Sequence, residues 1–266
     1  MNKKSKALAK RTVYVFGGAI GDKLISLTDY PQEGGDVLGS ELGEQMGGCG
    51  LNVLRGLAQL NVPVFPGIIM GKGPWAKRLK KEFRKLDVEA QFFYENTDNG
   101  WCLVITTPSG ERTFITFMGA ENFWIQEHFS KLKPQAHDLV YVSGYELLQP
   151  HNEALVEFLS KLSKKIMVYY DLGPSAASIK ESLPLLWDRP NAIVSLNNDE
   201  FTQLAFDKIV HGRSKHKPGC VIHRNGKENT VLYTLEDDGS YRAQSFETFG
   251  ARMVDTVGWL FKCACP

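Results

Sequence analysis

The sequence has little of what would mark a membrane, secreted or nucleic-acid-binding chain. No apolar run reaches the ~18 residues that a membrane helix needs. Val13 to Phe16 is too short for a signal-peptide core, which needs about 7–15 residues. Residues 1–11, with Lys3, Lys4, Lys6, Lys10 and Arg11, therefore read as a solvated basic leader, and the cytoplasm is the expected location. Charge of one sign is not in excess: Lys+Arg 31 against Asp+Glu 30 leaves a net charge of +1, which gives no general attraction for nucleic acid or membrane. Cysteine is sparse. The five residues Cys49, Cys102, Cys220, Cys263 and Cys265 form no CxxC pair, which argues against a disulfide framework or a zinc site. No internal repeat, low-complexity stretch or linker interrupts the chain.

What is present is an ordinary globular balance, 43% hydrophobic and 23% charged, over 266 residues. Val13–Phe16 is a short buried strand stopped by Gly17-Gly18, and 24–27 follows as a second. Tyr30 to Gly47 is rich in Gly and acidic residues and reads as loop with short exposed strands. Leu51, Val53, Leu54, Leu57, Ala58 and Leu60 define a helix with one apolar face. Val64 to Met70 is a buried strand, and Trp75 to Leu86 a basic amphipathic helix. The runs 101–107 and 112–117, with Pro108-Ser-Gly110 between them, form a β-hairpin. Strands at 139–142, 166–170 and 192–196 then alternate with helices at 152–162, 179–187 and 200–209. Such alternation predicts a parallel sheet covered by helices, an α/β fold. Runs at 220–222 and 230–234 supply further strands. The β-rich pieces at about 24–47 and 89–117 read as a lid inserted into one domain spanning 12–266.

Several patterns sit where ligands bind open α/β sheets, at the carboxyl ends of strands. Gly17-Gly-Ala-Ile-Gly-Asp22 follows the first strand, and a carboxylate there can take two hydroxyls or cap a turn. Gly47-Gly-Cys-Gly-Leu-Asn52 opens a helix; its glycines admit a close ligand, and Asn52 offers both donor and acceptor. The glycines do not follow the first strand as GxGxxG, and no acidic ribose-binding residue is placed for a dinucleotide. Gly110-Glu-Arg-Thr113 lies in the hairpin, where Arg112 fits a cross-strand charge pair with Glu111 or a neighbour as well as a ligand contact. Asn197-Asn-Asp-Glu200 fits a helix N-cap with acids favouring the helix dipole. Arg224-Asn-Gly226 fits an ordinary β-turn.

Together with Val254-Asp-Thr-Val-Gly258, these motifs resemble, in order and setting, the ribokinase-like (PfkB) carbohydrate kinases from about Val13 to Gly258. The resemblance implies a three-layer sandwich with a mostly parallel sheet and a small β lid. It implies ATP and Mg²⁺ as cofactors and a small sugar or nucleoside as substrate. Asp22, Gly47, Gly48, Asn52 and the lid residue Arg112 would hold the sugar, with Glu146 and Asp171 at the same sheet edge. Asn197 and Glu200 would serve the Mg²⁺–water shell around the phosphates, with Arg224 and Gly226 approaching the ATP phosphates. Asp255 would help hold a monovalent cation, K⁺. Related kinases pair their lids, so a homodimer through the lid is expected from Trp101, Val104, Ile105, Phe114 and Phe117.

The chain departs from the family at two places. Ile20 stands where many members carry Asn. The family's D-T-x-G-A-G-D, whose amides form an anion hole and whose last Asp is the base, reads here Asp255-Thr-Val-Gly-Trp-Leu-Phe261. Gly258 is what remains of the anion hole, Phe261 occupies the base position, and no catalytic base is assigned. The family's later C-terminal helices are missing, and a reading-frame shift after Gly258 is the expected origin. Two outcomes follow from the sequence: an inherited sugar kinase of low activity, or a non-catalytic sugar-binding or dimerising remnant.

Overall fold

Short apolar runs become the strands of one sheet. The computed structural model describes residues 11–248 apart from 111, 149, 151, 180–185, 213 and 227. Asp255, Gly258, Phe261 and most of the helix expected at 179–187 lie outside the described residues. The eight-stranded central sheet has the order β14-β13-β12-β11-β10-β9-β1-β4. Its parallel part comprises β1 (Val13–Phe16), β4 (Val64–Gly67), β9 (Leu139–Ser143), β10 (Met167–Asp171), β11 (Ala192–Asn197) and β12 (Cys220–Asn225). Two antiparallel strands, β13 (Asn229–Leu235) and β14 (Tyr241–Glu247), complete the edge. The fold is thus α/β with a mostly parallel sheet.

Strand β1 pairs with β4 on one side and β9 on the other, so chain order reverses at its carboxyl end. A crevice opens at such a switch point because the following connections leave to opposite faces. Val15 and Phe16 are fully buried, as expected for a strand covered on both faces. The Phe16 ring meets Trp124, Phe129 and Phe158 edge-on at 5.6–5.9 Å. On the opposite face, Val13, Val15 and Tyr141 pack with Leu51 and Leu54 of α1 (Cys49–Gln59) and with Leu79 and Phe83 of α2 (Pro74–Lys85).

A separate four-stranded sheet forms the lid, in the order β3-β2-β7-β8. It is built from β2 (Ile20–Leu27), β3 (Gly39–Gly47), β7 (Trp101–Thr106) and β8 (Arg112–Phe117). The expected hairpin is β7–β8. The lid differs from the expected 24–47 and 89–117 in two respects. Its first strand begins at Ile20, because Ile20 and Gly21 already pair with Gly47 and Met46. Residues 89–100 lie outside the lid sheet: Phe92–Phe93 (β6) pairs instead with Ile69–Met70 (β5). The apolar run 64–70 is therefore two strands, and β6 buries Phe92 beside Phe16.

The helix expected over 200–209 is broken. Ala205 adopts φ 52°, separating α5 (Asn198–Gln203) from α6 (Phe206–Val210) and letting Phe206 turn fully into the core. Strand β14 carries almost no apolar signal and was not expected. Two helices precede these, α3 (Gln126–Phe129) and α4 (Glu153–Lys161), and α4 buries Leu155 and Leu159. Among the described residues, no helix is long and apolar enough to cross a membrane.

Candidate functional site

The crevice beside β1 holds a cavity of about 270 Å³ between the central sheet and the lid. Gly18, Ile20 and Asp22 come to it from the end of β1 and from β2; Gly48, Cys49 and Asn52 come from α1 and the residue before it. Cys102, Phe114, Thr116 and Met118 come from the lid, and Glu121, Ser143, Tyr145 and Glu146 from the far wall. Strand register explains the lid face. Asp22 lies opposite Cys102, and Cys102 opposite Thr116, so all three side chains share one side of the pleat.

Asp22 is therefore a residue of β2, not the turn cap its position also allowed. Burial raises its proton affinity, while Gln45 and Arg55 pull it back down. Gly47 makes room for it: a Cβ there would stand 2.3 Å from Asp22 Oδ2. Gly48 has φ 99°, and a Cβ on it would meet the Gly18 carbonyl oxygen at 2.6 Å, so the loop needs glycine both for conformation and for approach. The Gly50 amide donates to the Gly18 carbonyl at 3.0 Å, fixing the start of α1 against the end of β1. Asn52 is held from behind: Arg55 donates to its Oδ1 at 3.3 Å and pairs with Glu82 at 2.7 Å.

Glu146 reaches the cavity from a 3-10 turn at Gly144–Leu147, directly after β9. It is 5% exposed, and the Trp124 indole N–H donates to its Oε2 at 3.1 Å. Burial and then the nearby Glu121 charge push its carboxyl up to about 8. At neutral pH it is mostly a neutral acid, able to donate a hydrogen bond. Glu121 was not singled out from the sequence. Its only sequence signal is a carboxylate set between Gly119-Ala120 and an aromatic run.

Arg112 stands at the start of β8 opposite Thr106, on the pleat face of Phe114 and Thr116. It is not among the residues lining the cavity; Phe114, Thr116 and Met118 of the same strand and its extension are.

A second cluster lies at the carboxyl ends of β10, β11 and β12. Arg224 approaches Asp171 at 3.4 Å and Glu200 at 3.8 Å, and the Tyr141 hydroxyl donates to Asp171 at 3.3 Å. Asn197 is the N-cap of α5: its Oδ1 accepts from the Glu200 amide, and both its N–H groups donate to the Glu200 carboxylate, each at 2.8 Å. The capping expectation thus holds, with Asn197 as the cap. Burial raises the proton affinity of both Asp171 and Glu200, and Arg224 opposes it in each. Gly226, at φ 58°, turns β12 into β13. Cys49 stands between the two clusters; burial pushes its thiol up to about 11.

The structure thus gathers Asp22, Gly48, Asn52 and Glu146 around one cavity, with Gly47 directly behind. It gathers Asp171, Asn197, Glu200, Arg224 and Gly226 along the neighbouring sheet edge. Among the described residues, no group of three or more His, Cys, Asp and Glu could cage a metal ion.

Comparison with known proteins identifies the family. The model of the pfkB family carbohydrate kinases matches residues 14–258. An uncharacterized sugar kinase of Escherichia coli K12, YegV, is 32% identical over 258 residues, covering 94% of this chain and 78% of that protein. Among solved structures, ribokinase from Giardia lamblia superposes with a TM-score of 0.69 at 14% identity, covering 92% of this chain and 77% of that one. A Burkholderia thailandensis nucleoside kinase in complex with inosine gives 0.65 at 15% identity, with 92% and 77% covered. At such identities the two structures speak for the fold alone.

Proposed function

Since the chain belongs to the pfkB family of carbohydrate kinases, we propose that its cavity binds a sugar or nucleoside whose hydroxyl is the acceptor for the γ-phosphoryl group of ATP. The observation that carries this reading is the joining of Asp22, Asn52 and Glu146 around one cavity beneath a lid, on the sheet edge that also carries Arg224 and Glu200. Asp22 accepts from hydroxyls, Glu146 donates, and Asn52 does either. Phe114 and Met118 cover the apolar side of the ring and exclude water when the lid closes.

Arg224 meets the polyphosphate as a cation. Mg²⁺ bound to the phosphates supplies charge neutralisation, and Glu200 would hold its waters from the second shell. Asp255, the expected K⁺ contact, takes no part in the argument because it lies outside the described residues.

The sequence itself favours a second reading. Phe261 cannot remove a proton, and loss of a general base costs ~10²–10⁴ in rate. The same pocket would then serve binding with little or no turnover. One experiment separates the two: thermal shift with D-ribose, D-fructose and inosine, each with and without Mg-ATP, followed by an ADP-release assay. Ligand-dependent ADP formation establishes the kinase. A melting shift without ADP establishes the binding protein, and absence of both removes the reading.

We further propose that two lids pair in a homodimer. Leu42, Ile115 and Phe117 leave 43–58% of their surface exposed on the lid sheet, and contiguous exposed apolar surface marks interaction sites. A monomer in light scattering at low micromolar concentration overturns the dimer.

A further inference from the structure

Glu121 is 2% exposed and sits on a 3-10 turn at Ala120–Asn122, immediately after the lid hairpin returns to the body. Its Oε2 accepts from the Gly100 amide at 2.8 Å, and its Oε1 from the Gly119 amide at 2.7 Å. Gly100 directly precedes β7 and Gly119 follows β8 by two residues, so a single carboxylate holds both roots of the hairpin.

The roots are in backbone contact. A Cβ on Gly119 would stand 2.3 Å from the Gly100 nitrogen, and one on Gly100 would stand 2.3 Å from Glu121 Oε1. The preceding residues tie the same knot to the body. Asn99 donates to the carbonyls of Ala19 and Ile69 and accepts from the Gly71 amide, while Asp98 accepts from the Trp75 and Ala76 amides at the start of α2.

We propose that Glu121 is a positioning residue: it clasps the lid hairpin at both roots and, from the wall it shares with Glu146, couples the lid to the occupant of the pocket. The clasp half stands on this geometry alone. The coupling half rests on the sugar or nucleoside reading above.

The physical reason is that a carboxylate has about four acceptor sites, and here they face amide donors from both strand roots. Burial raises the proton affinity of Glu121, and these amide bonds lower it again in favour of the charged form, because hydrogen bonds to a charged acceptor are stronger than neutral ones. The charge then acts on Glu146, the residue placed to donate to a substrate hydroxyl. Cys49 also faces Glu146, with its thiol pushed up to about 11 and so neutral, and the titratable groups Asp22, Cys102 and Tyr145 line the same cavity. Motion of the hairpin roots and the protonation of Glu146 are thus tied to one side chain.

Glu121→Gln tests this. The amide keeps the volume but turns an NH₂ toward one root N–H, losing one bond. In the ligand-free protein, amide hydrogen exchange over 101–106 and 112–117 should rise about tenfold, with 139–143, 167–171 and 192–197 unchanged. A uniform rise everywhere, or no rise in the lid, overturns the clasp. For whichever of D-ribose, D-fructose and inosine binds the wild-type protein, affinity should fall about tenfold. The pH midpoint at which binding is lost should also move downward, because Glu146 no longer faces a negative neighbour. An unchanged midpoint overturns the coupling. If none of the three binds the wild-type protein, the function proposed above fails and the coupling with it, while the exchange comparison still decides the clasp. Should Glu121→Gln not fold, the wild-type amides of Gly100 and Gly119 serve instead. They should exchange as slowly as the central strands, and exchange at the rate of the hairpin tip around Gly110 overturns the clasp.

Discussion

Two acidic clusters lie along one sheet edge and are stabilised by different donors. Glu121 and Glu146 border the cavity and draw on backbone amides and an indole N–H. Asp171 and Glu200, at the ends of β10 and β11, share a guanidinium, and Glu200 also accepts from Asn197. The first arrangement leaves one acid mostly neutral and suits recognition of uncharged hydroxyls. The second adds a cation that an incoming polyphosphate can also use. The difference teaches that burial alone does not decide a carboxyl's role. The donors and charges that surround it count as well.

Four substitutions break or sharpen this contrast. The largest effect is expected from Asp22→Ala, which removes the one carboxylate poised to accept from substrate. Hydrogen bonds to charged groups contribute ~1.5–3 kcal/mol, so losing two lowers affinity at least ~100-fold by calorimetry, with little change in melting.

Next is Arg224→Met. It leaves Asp171 and Glu200 without their cation and should lower Mg-ATP affinity about tenfold while sugar affinity holds. Because Arg224 is partly exposed, the loss of stability should be about 1 kcal/mol rather than the ~3–5 of a fully buried pair, measured by urea unfolding.

Glu146→Gln sharpens the comparison through pH. The folded protein binds the Glu146 proton more tightly than the unfolded chain does. Its contribution to stability is therefore full below the usual carboxylate range and is lost as pH rises through about 8. Wild-type melting should fall by ~5 °C more than that of the variant between pH 5 and pH 8; parallel curves would show that Glu146 is charged throughout.

The smallest effect belongs to Phe114→Ala. Phe114 is exposed until a ligand covers it, so its truncation should weaken binding only about fivefold through lost apolar burial and leave unfolding unchanged.

The alternating apolar runs at 139–142 and 192–196 are strands because nothing but a buried parallel position suits them. The Asn197–Glu200 spacing is a cap because that geometry is entirely local. Asp22, Gly48 and Asn52 were legible because glycine and polar residues cluster where an apolar run stops. Glu121 was not, since its partners Gly100 and Gly119 become neighbours only when β7 and β8 close into a hairpin. The break at Ala205 was also hidden: the periodicity continues through it, and only the burial of Phe206 selects the left-handed turn.

By itself, then, the sequence determined the α/β class, the parallel core and the local turns and caps, because periodicity and glycine placement act within a few residues. Only the tertiary structure decided the parallel pairing of β2 with β7, the joining of Asp22 to Cys102 and Thr116, and the facing of Glu121 with Glu146. Those contacts join residues far apart along the chain, and their energies depend on burial and register that no short stretch of sequence contains.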